Sequence, residues 1–236
     1  DSMCYSMKEL IVIAGDIFDA YAVKEIKENA ASHLGYFYLV QSVGIASSEK
    51  LLPLFDDVPD EFRDKLYDVM RSRVESDVRD AEMAEKYLES IAASLEATAV
   101  GKGFQNFELD NIRGGKVLLS DEVFSNKYTL VLFWGAWQDG MREQLTVVST
   151  AYEKYRGKGL QVVGVSLDDS VEECKAVVDE LAIEWIQLCN PVGSAEVAAA
   201  YGITDLPSAV LVNNRGTIIS RMSTAEDIVK KFEELF

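Results

Sequence analysis

The sequence predicts an α/β layer domain preceded by an α-helical region, and three observations predict it. Residues 1–100 hold only two prolines and interleave charged with apolar side chains, as helices do. After Phe104 the period changes, and short apolar runs alternate with helical patterns. Two of those runs, TLVLFW (129–134) and LQVVGVSL (160–167), are unbroken, as expected of strands buried on both faces of a sheet. Alternating β and α segments with buried strands imply a layered α/β fold. The expected limits are a helical region over 1–100 and the α/β domain over 101–236.

In the helical region, Ser48 followed by Glu49 and LLPLF reads as a capped helix start. Pro59 suits the first turn of the next helix. From there Phe62, Leu66, Val69, Met70 and Val74 recur at three-to-four spacing and predict one apolar face. A second run, Met83, Tyr87, Leu88, Ile91 and Leu95, predicts a continuation of that core-packing stripe. The segment ATAVGKGFQ (97–105), with two glycines, predicts a linker.

Beyond the linker, FELDN and KVLLS alternate like strands joined at Gly114-Gly115. MREQLTVVSTAYEKY (141–155) predicts a helix. Ser170 and Glu173 form a capping box opening a helix to about Leu181. EWIQLC predicts a strand, AEVAAAYG a short helix ended by Gly202, and SAVLVNN a strand that turns at Asn214-Arg215-Gly216 into TIISRM. Ser223 and Glu226 predict a capping box before the last helix.

With 236 residues and 48% apolar side chains, the chain can build a packed core and lies outside the disorder regime. The net charge of -17 is spread over both regions; such a field repels phosphate backbones and argues against nucleic-acid binding. No apolar run approaches the roughly 20 residues of a membrane-spanning helix. The opening DSMCYSMKELIVIAG has no basic n-region and no small-residue cleavage site, so the chain is expected to be soluble and mature, cytosolic or trimmed. Nothing before Cys4 resembles a lipoprotein box.

The three cysteines, Cys4, Cys174 and Cys189, form no CxxC and no zinc spacing, and the single histidine, His33, falls in the helical region. No metal and no cofactor is expected. Cys174 and Cys189 read first as small buried apolar residues. A structural bridge between them and a catalytic role for a displaced thiol are the alternatives.

The stretch TLVLFWGAWQDGMREQL (129–145) resembles the motif of TlpA/ResA-type (AhpC/TSA-like) thiol-disulfide oxidoreductases: a strand, Phe-Trp, two small residues, Trp, then Cys-x-x-Cys-Arg. Phe133, Trp134, Gly135, Ala136, Trp137 and Arg142 match it. KGLQVVGVSLDD resembles that family's third strand and turn. YGITDLPSAVLVNNRGTIISR resembles its cis-proline loop and hairpin, and FQNFELDNIRGGKVLLSDEV its opening hairpin. The resemblance covers about 103–236 and implies a thioredoxin-like fold, a central mixed sheet flanked by helices. The helical region is similar to the linker preceding this domain in envelope proteins of Bacteroides-type bacteria, where a small β-domain often comes first. Periplasm or cell envelope is the location this implies.

Against that motif, Gln138 and Met141 stand where the two cysteines belong, so Gln138-Asp139-Gly140-Met141 replaces the CxxC. Thiol-disulfide exchange needs a thiolate and a resolving thiol. An amide and a thioether supply neither. A peroxidatic cysteine is also missing, since no cysteine lies between residues 5 and 173. Gln144 and Thr146 depart further from the family pattern, where Glu and Pro are common. The resemblance places the first cysteine position at a helix N-terminus. It implies a cis Leu206–Pro207 bond in a loop that offers backbone to an extended peptide. A contact surface of Trp137, Gln138, Asp139, Gly140, Met141, Leu206 and Pro207 follows, with a protein or peptide client as partner. The leading expectation is a binding or scaffold module without catalysis. The alternatives are an oxidoreductase using a displaced or partner-supplied cysteine, and a purely structural or dimerisation domain.

Overall fold

The computed structural model describes residues 6–236; Cys4 and the readings that fall on it lie outside the described residues. The chain divides into two compact units, the first ending at Tyr87 and the second running Leu88–Phe236.

The first unit is helical: α1 (Met7–Glu28), α2 (His33–Ser42), α3 (Ser48–Asp56), a 3-10 turn at Asp60–Phe62, and most of α4 (Lys65–Ala97). Ser6 opens α1 with a full capping box, accepting from the Glu9 N–H while the Glu9 carboxylate accepts from the Ser6 N–H at 2.7 Å. The core is one cluster that includes Ala22, Ile26, Leu39, Leu51, Leu54, Phe55, Tyr67 and Val74. Asp19 is the buried charge among the described residues of this unit. Its carboxylate accepts from the Ser47 N–H at 3.0 Å and from Lys50 Nζ at 2.9 Å. Burial by itself would raise its pKa; the Ser47 N–H and the Lys50 ammonium outweigh that and hold it below the usual carboxylate value.

Several local expectations are corrected here. The residue before α3 is Ser47, and it makes no side-chain cap; Ser48 lies inside the helix and its hydroxyl donates to Asp77. Pro59 precedes the 3-10 turn, not the long helix. Phe62 therefore lies outside α4, and the face of α4 that enters the core carries Tyr67, Met70 and Val74 while Leu66 and Val69 are exposed. In the second run only Ile91 is buried; Met83, Tyr87 and Leu88 face solvent, and Leu95 is partly exposed. Helical spacing says which residues share a face, but only neighbouring elements decide whether that face is covered.

The second unit is a five-stranded mixed sheet in the order β5-β4-β3-β6-β7, with a separate β1–β2 hairpin. The hairpin pairs β1 (Glu108–Asp110) antiparallel to β2 (Lys116–Leu118). The central strands β3 (Tyr128–Trp134) and β4 (Leu160–Ser166) run parallel, and β4 pairs in parallel with β5 (Ile186–Cys189). On the other side, β6 (Ser208–Asn213) is antiparallel to β3, and β7 (Ile218–Met222) antiparallel to β6. This is the thioredoxin-like architecture that the resemblance implied.

The pleat sorts the apolar runs onto two faces. Leu130, Leu132 and Trp134 pack with α6 (Met141–Tyr155), α7 (Val171–Glu180) and α9 (Ala225–Leu235). Val131 and Phe133 pack with α5 (Leu119–Ser125), α8 (Pro191–Ala200) and Tyr201. A strand covered on both faces has no polar side to alternate with, which is why both runs are unbroken.

Helix starts differ from expectation in three places. At Ser170 only half of the capping box forms: its hydroxyl accepts from the Glu173 N–H at 3.2 Å. The last helix is capped by Thr224 with Asp227, one residue later than Ser223 with Glu226. Helix α8 begins earlier, at Pro191, because Asn190 accepts the Gly193 N–H and proline suits the first helical position. The segment after α4 is tied to the sheet: Arg221 donates to Thr98 Oγ1 at 2.8 Å and to the Tyr201 carbonyl at 2.7 Å. Gly202, at φ +63°, lets Leu95 approach so closely that a Cβ would stand 2.7 Å from its Cγ. Among the described residues, no helix is long and apolar enough to cross a membrane.

Candidate functional site

The site begins where β3 ends. Trp134 is fully buried and its indole N–H donates to Gln187 Oε1 at 3.0 Å. The chain then leaves the sheet in two successive turns. The Gln138 N–H donates to the Gly135 carbonyl at 3.1 Å, and the Met141 N–H to the Gln138 carbonyl at 3.2 Å. Gly140 takes φ +74°, a left-handed value that glycine adopts without strain. Helix α6 therefore starts at Met141. This is the start its sequence pattern predicts, and Gln138 lies in the turn just before the helix N-terminus. No side chain caps this helix.

A buried aspartate fastens the turn. Asp168 is fully buried just after β4; its Oδ1 accepts the Ala136 N–H at 2.6 Å and its Oδ2 accepts the Ser166 hydroxyl at 2.6 Å. Ser166 Oγ in turn accepts the Asp168 N–H at 3.1 Å. Buried charge is tolerated when it is hydrogen-bonded in this way. Arg142, on the first turn of α6, pairs with Glu180 at 3.1 Å.

Trp137 projects from this turn and is 64% exposed. Its indole folds back over Gly135, where a Cβ would stand 2.7 Å from Nε1. Beside it is an open cleft of about 270 Å³ lined by Ala136, Trp137, Arg142, Glu173, Ala176 and Val177. Sequence reasoning did not name the α7 side of this cleft, because no motif spacing shows which helix packs beside the turn. The Ser-x-Asp at the end of a buried strand was the signal for Ser166 and Asp168.

The other predicted residues separate into two groups. Asp139 and Gly140 are exposed, and Gln138, Leu206 and Pro207 are half-buried. The Leu206–Pro207 peptide bond is cis. Met141 is different. It is 1% exposed and packs in the core on the α6 side of the sheet, so its side chain does not contribute to a surface. Met141 and Pro207 line one tight interior gap with Gln144 and Leu132. Gln144 accepts the Ala225 N–H at 2.7 Å and ties α6 to α9. Thr146 donates to the Arg142 carbonyl at 2.8 Å inside an unbroken helix.

Cys174 and Cys189 are both free thiols in the core. The Cys189 sulfur beside it, together with burial, pushes the Cys174 pKa up, and the neighbouring Cys174 thiol lowers that of Cys189 despite burial. His33 stands edge-on to Phe62 with ring centroids 4.6 Å apart, far in sequence from these groups.

Comparison with known proteins gives one consistent picture. The AhpC/TSA family model matches residues 100–221. The chain is 25% identical over 139 residues to the thiol-disulfide oxidoreductase ResA of Bacillus thuringiensis subsp. konkukian, covering 59% of this chain and 78% of that protein. Among solved structures, it resembles the thioredoxin domain of a thiol-disulfide oxidoreductase from Bacteroides vulgatus, with 27% identity, a TM-score of 0.54, and coverage of 58% of this chain and 97% of that one. It also resembles a thiol-disulfide oxidoreductase from Bacteroides fragilis, with 31% identity, a TM-score of 0.53, and coverage of 57% and 100%.

Proposed function

The chain belongs to the AhpC/TSA family, and we propose that it acts there as a binding or scaffold module without thiol-disulfide turnover. One observation carries this reading: the turn that would present a nucleophilic sulfur presents the amide of Gln138, and Met141 is withdrawn into the core. Exchange requires an accessible thiolate. The two remaining described cysteines are 0% and 2% exposed, which disfavours the rival in which a displaced thiol attacks a protein disulfide.

The contact surface is Trp137 with Gln138, Asp139, Gly140, Leu206 and Pro207. An exposed tryptophan anchored over a glycine offers a large, semi-rigid apolar area, the kind of group that dominates protein contacts. The client is an extended protein or peptide segment in the cell envelope, where ResA-type and Bacteroides relatives direct the expectation. On this reading 101–236 is the family domain and 1–100 its helical extension.

The test is insulin reduction with dithiothreitol as electron source. The expected rate equals the dithiothreitol blank. A rate well above it, lost in Cys174→Ala or Cys189→Ala, would install the oxidoreductase reading instead.

A further inference from the structure

The first twelve residues of α1, Met7 to Phe18, are all exposed. An isolated helix of this length is marginal in water. Its exposed surface is nevertheless apolar, and the apolar residues form one stripe. Counted from Ala14, Ile11 and Ile17 stand three positions away, Leu10 and Phe18 four, and Met7 and Tyr21 seven. Those are the spacings that share a helix face. The adjoining face, with Asp19, Ala22 and Ile26, enters the core of the helical unit and leaves the stripe uncovered. Beside the C-terminal end of the stripe is an open groove of about 350 Å³ with Phe18, Tyr21, Phe37, Tyr38 and Ile45 among its walls. At about 200 Å² for a large apolar side chain in the open, the stripe with Phe37 and Ile45 leaves roughly 900 Å² in water. A stable interface buries about 800 Å² per partner, and the largest apolar patch on a typical monomer is about 300–600 Å².

We propose that this stripe docks on the same stripe of a second copy of the chain, α1 against α1, antiparallel about a two-fold axis at Ala14. The pairing goes beyond the Trp137 surface and does not depend on it. In a two-fold interface residue i meets j and j meets i. An antiparallel crossing at Ala14 sets Ile11 against Ile17 of the second copy, Leu10 against its Phe18, and Met7 against its Tyr21. Every apolar residue of the stripe then meets an apolar partner. Ala14, at the centre, has a short side chain and lets the two helices approach. Met7 arrives at the groove beside Tyr21 of the second copy, and its unbranched thioether suits an irregular gap. A lipid surface fits less well. Helices that lie on membranes carry Lys and Arg on their polar face. Between Met7 and Tyr21 the one basic residue is Lys8, against Glu9, Asp16 and Asp19, and the net charge of -17 repels anionic headgroups. The same charge opposes association of like copies. Interfaces of this area range from micromolar to picomolar, and the repulsion puts this one at the micromolar end, so the dilute chain is a single copy.

The first measurement is sedimentation of the full chain over about 0.1–100 μM, where the mass is expected to rise from one copy to two. Ile17→Glu places a carboxylate in the seam. It is expected to raise the dissociation constant at least about tenfold while the helical circular dichroism stays unchanged. The second measurement is cross-linking. Met7→Cys and Tyr21→Cys are made separately in the full chain carrying Cys4→Ser, mixed, and oxidised mildly. The mixture is expected to give a disulfide between the two variants in higher yield than either variant gives with itself. A single-copy mass at every concentration overturns the proposal, as does an association that Ile17→Glu leaves intact. A Met7→Cys chain that cross-links to itself as readily as to Tyr21→Cys overturns it too. So does a single-copy chain that binds phosphatidylglycerol vesicles through Ile17, which assigns the stripe to a lipid surface. The cross-linking leaves Ile17 in place, so an unfolded Ile17→Glu chain does not decide the outcome.

Discussion

The two units of this chain treat their apolar residues in opposite ways. In the sheet unit, β3 buries every residue from Thr129 to Trp134, and its two faces feed two separate clusters. In the helical unit, α1 leaves Met7, Leu10, Ile11, Val12 and Ile17 exposed and buries only Asp19, Ala22 and Ile26. A strand in mid-sheet is enclosed by its hydrogen-bonded neighbours and by helices above and below. A helix is covered only on the side where another element happens to lie. Apolar content therefore predicts burial well in the sheet and poorly in the helices.

The largest expected effect tests that contrast directly. Trp134→Ala should cost about 3–5 kcal/mol, because it opens a core cavity and leaves Gln187 without its indole partner. Ile11→Ser, on the exposed side of α1, should stay within about 0.5 kcal/mol of wild type. Urea titration of both variants by circular dichroism gives the comparison; equal losses would erase it. Trp137 and Trp185 remain as fluorescence reporters in the first variant.

A smaller effect separates cap chemistry from burial. Thr224→Ala should remove about 1 kcal/mol, since Thr224 Oγ1 accepts the Asp227 N–H at the start of α9. Ser223→Ala, one residue earlier, should be near neutral. Should the Ser223 variant prove the costlier one in the same titration, the cap is misplaced.

The smallest effect is a pH dependence of the helical unit. Asp19 is held below its unfolded value of about 3.9, so its contribution to stability is full above that pH and is lost as pH falls through the lower folded value. Asp19→Asn should flatten part of the acid limb of helical unfolding. Glu9 and Asp64 are also held low by their hydrogen bonds and act in the same direction. An unchanged acid limb would show that Asp19 is not linked to folding of this unit.

How much was legible follows the same division. Unbroken runs, the Gly114-Gly115 turn and the α6 pattern are local signals, and α6 spans the residues its pattern predicts. The motif around Phe133 to Arg142 located the site. Its detailed geometry was less legible: Met141 turns inward, off the predicted contact surface. The Thr224 cap and the early start of α8 depended on which of several capable residues adopted cap geometry, a choice made by the surrounding chain. The stripe from Met83 to Leu88 has the right period, but no element covers it among the described residues.

The sequence by itself determined the order of the strands and the double-sided burial of β3 and β4. Those follow from residue type and spacing, which act over a few positions. Only the tertiary structure decided what lies beside what. It set α7 next to Trp137 to form the cleft, brought Asp168 under the Ala136 N–H, and placed Cys174 and Cys189 in one core cluster. Such juxtapositions arise from packing between elements distant in the chain, and a group that this packing buries away from water must find its hydrogen-bond partner within the protein.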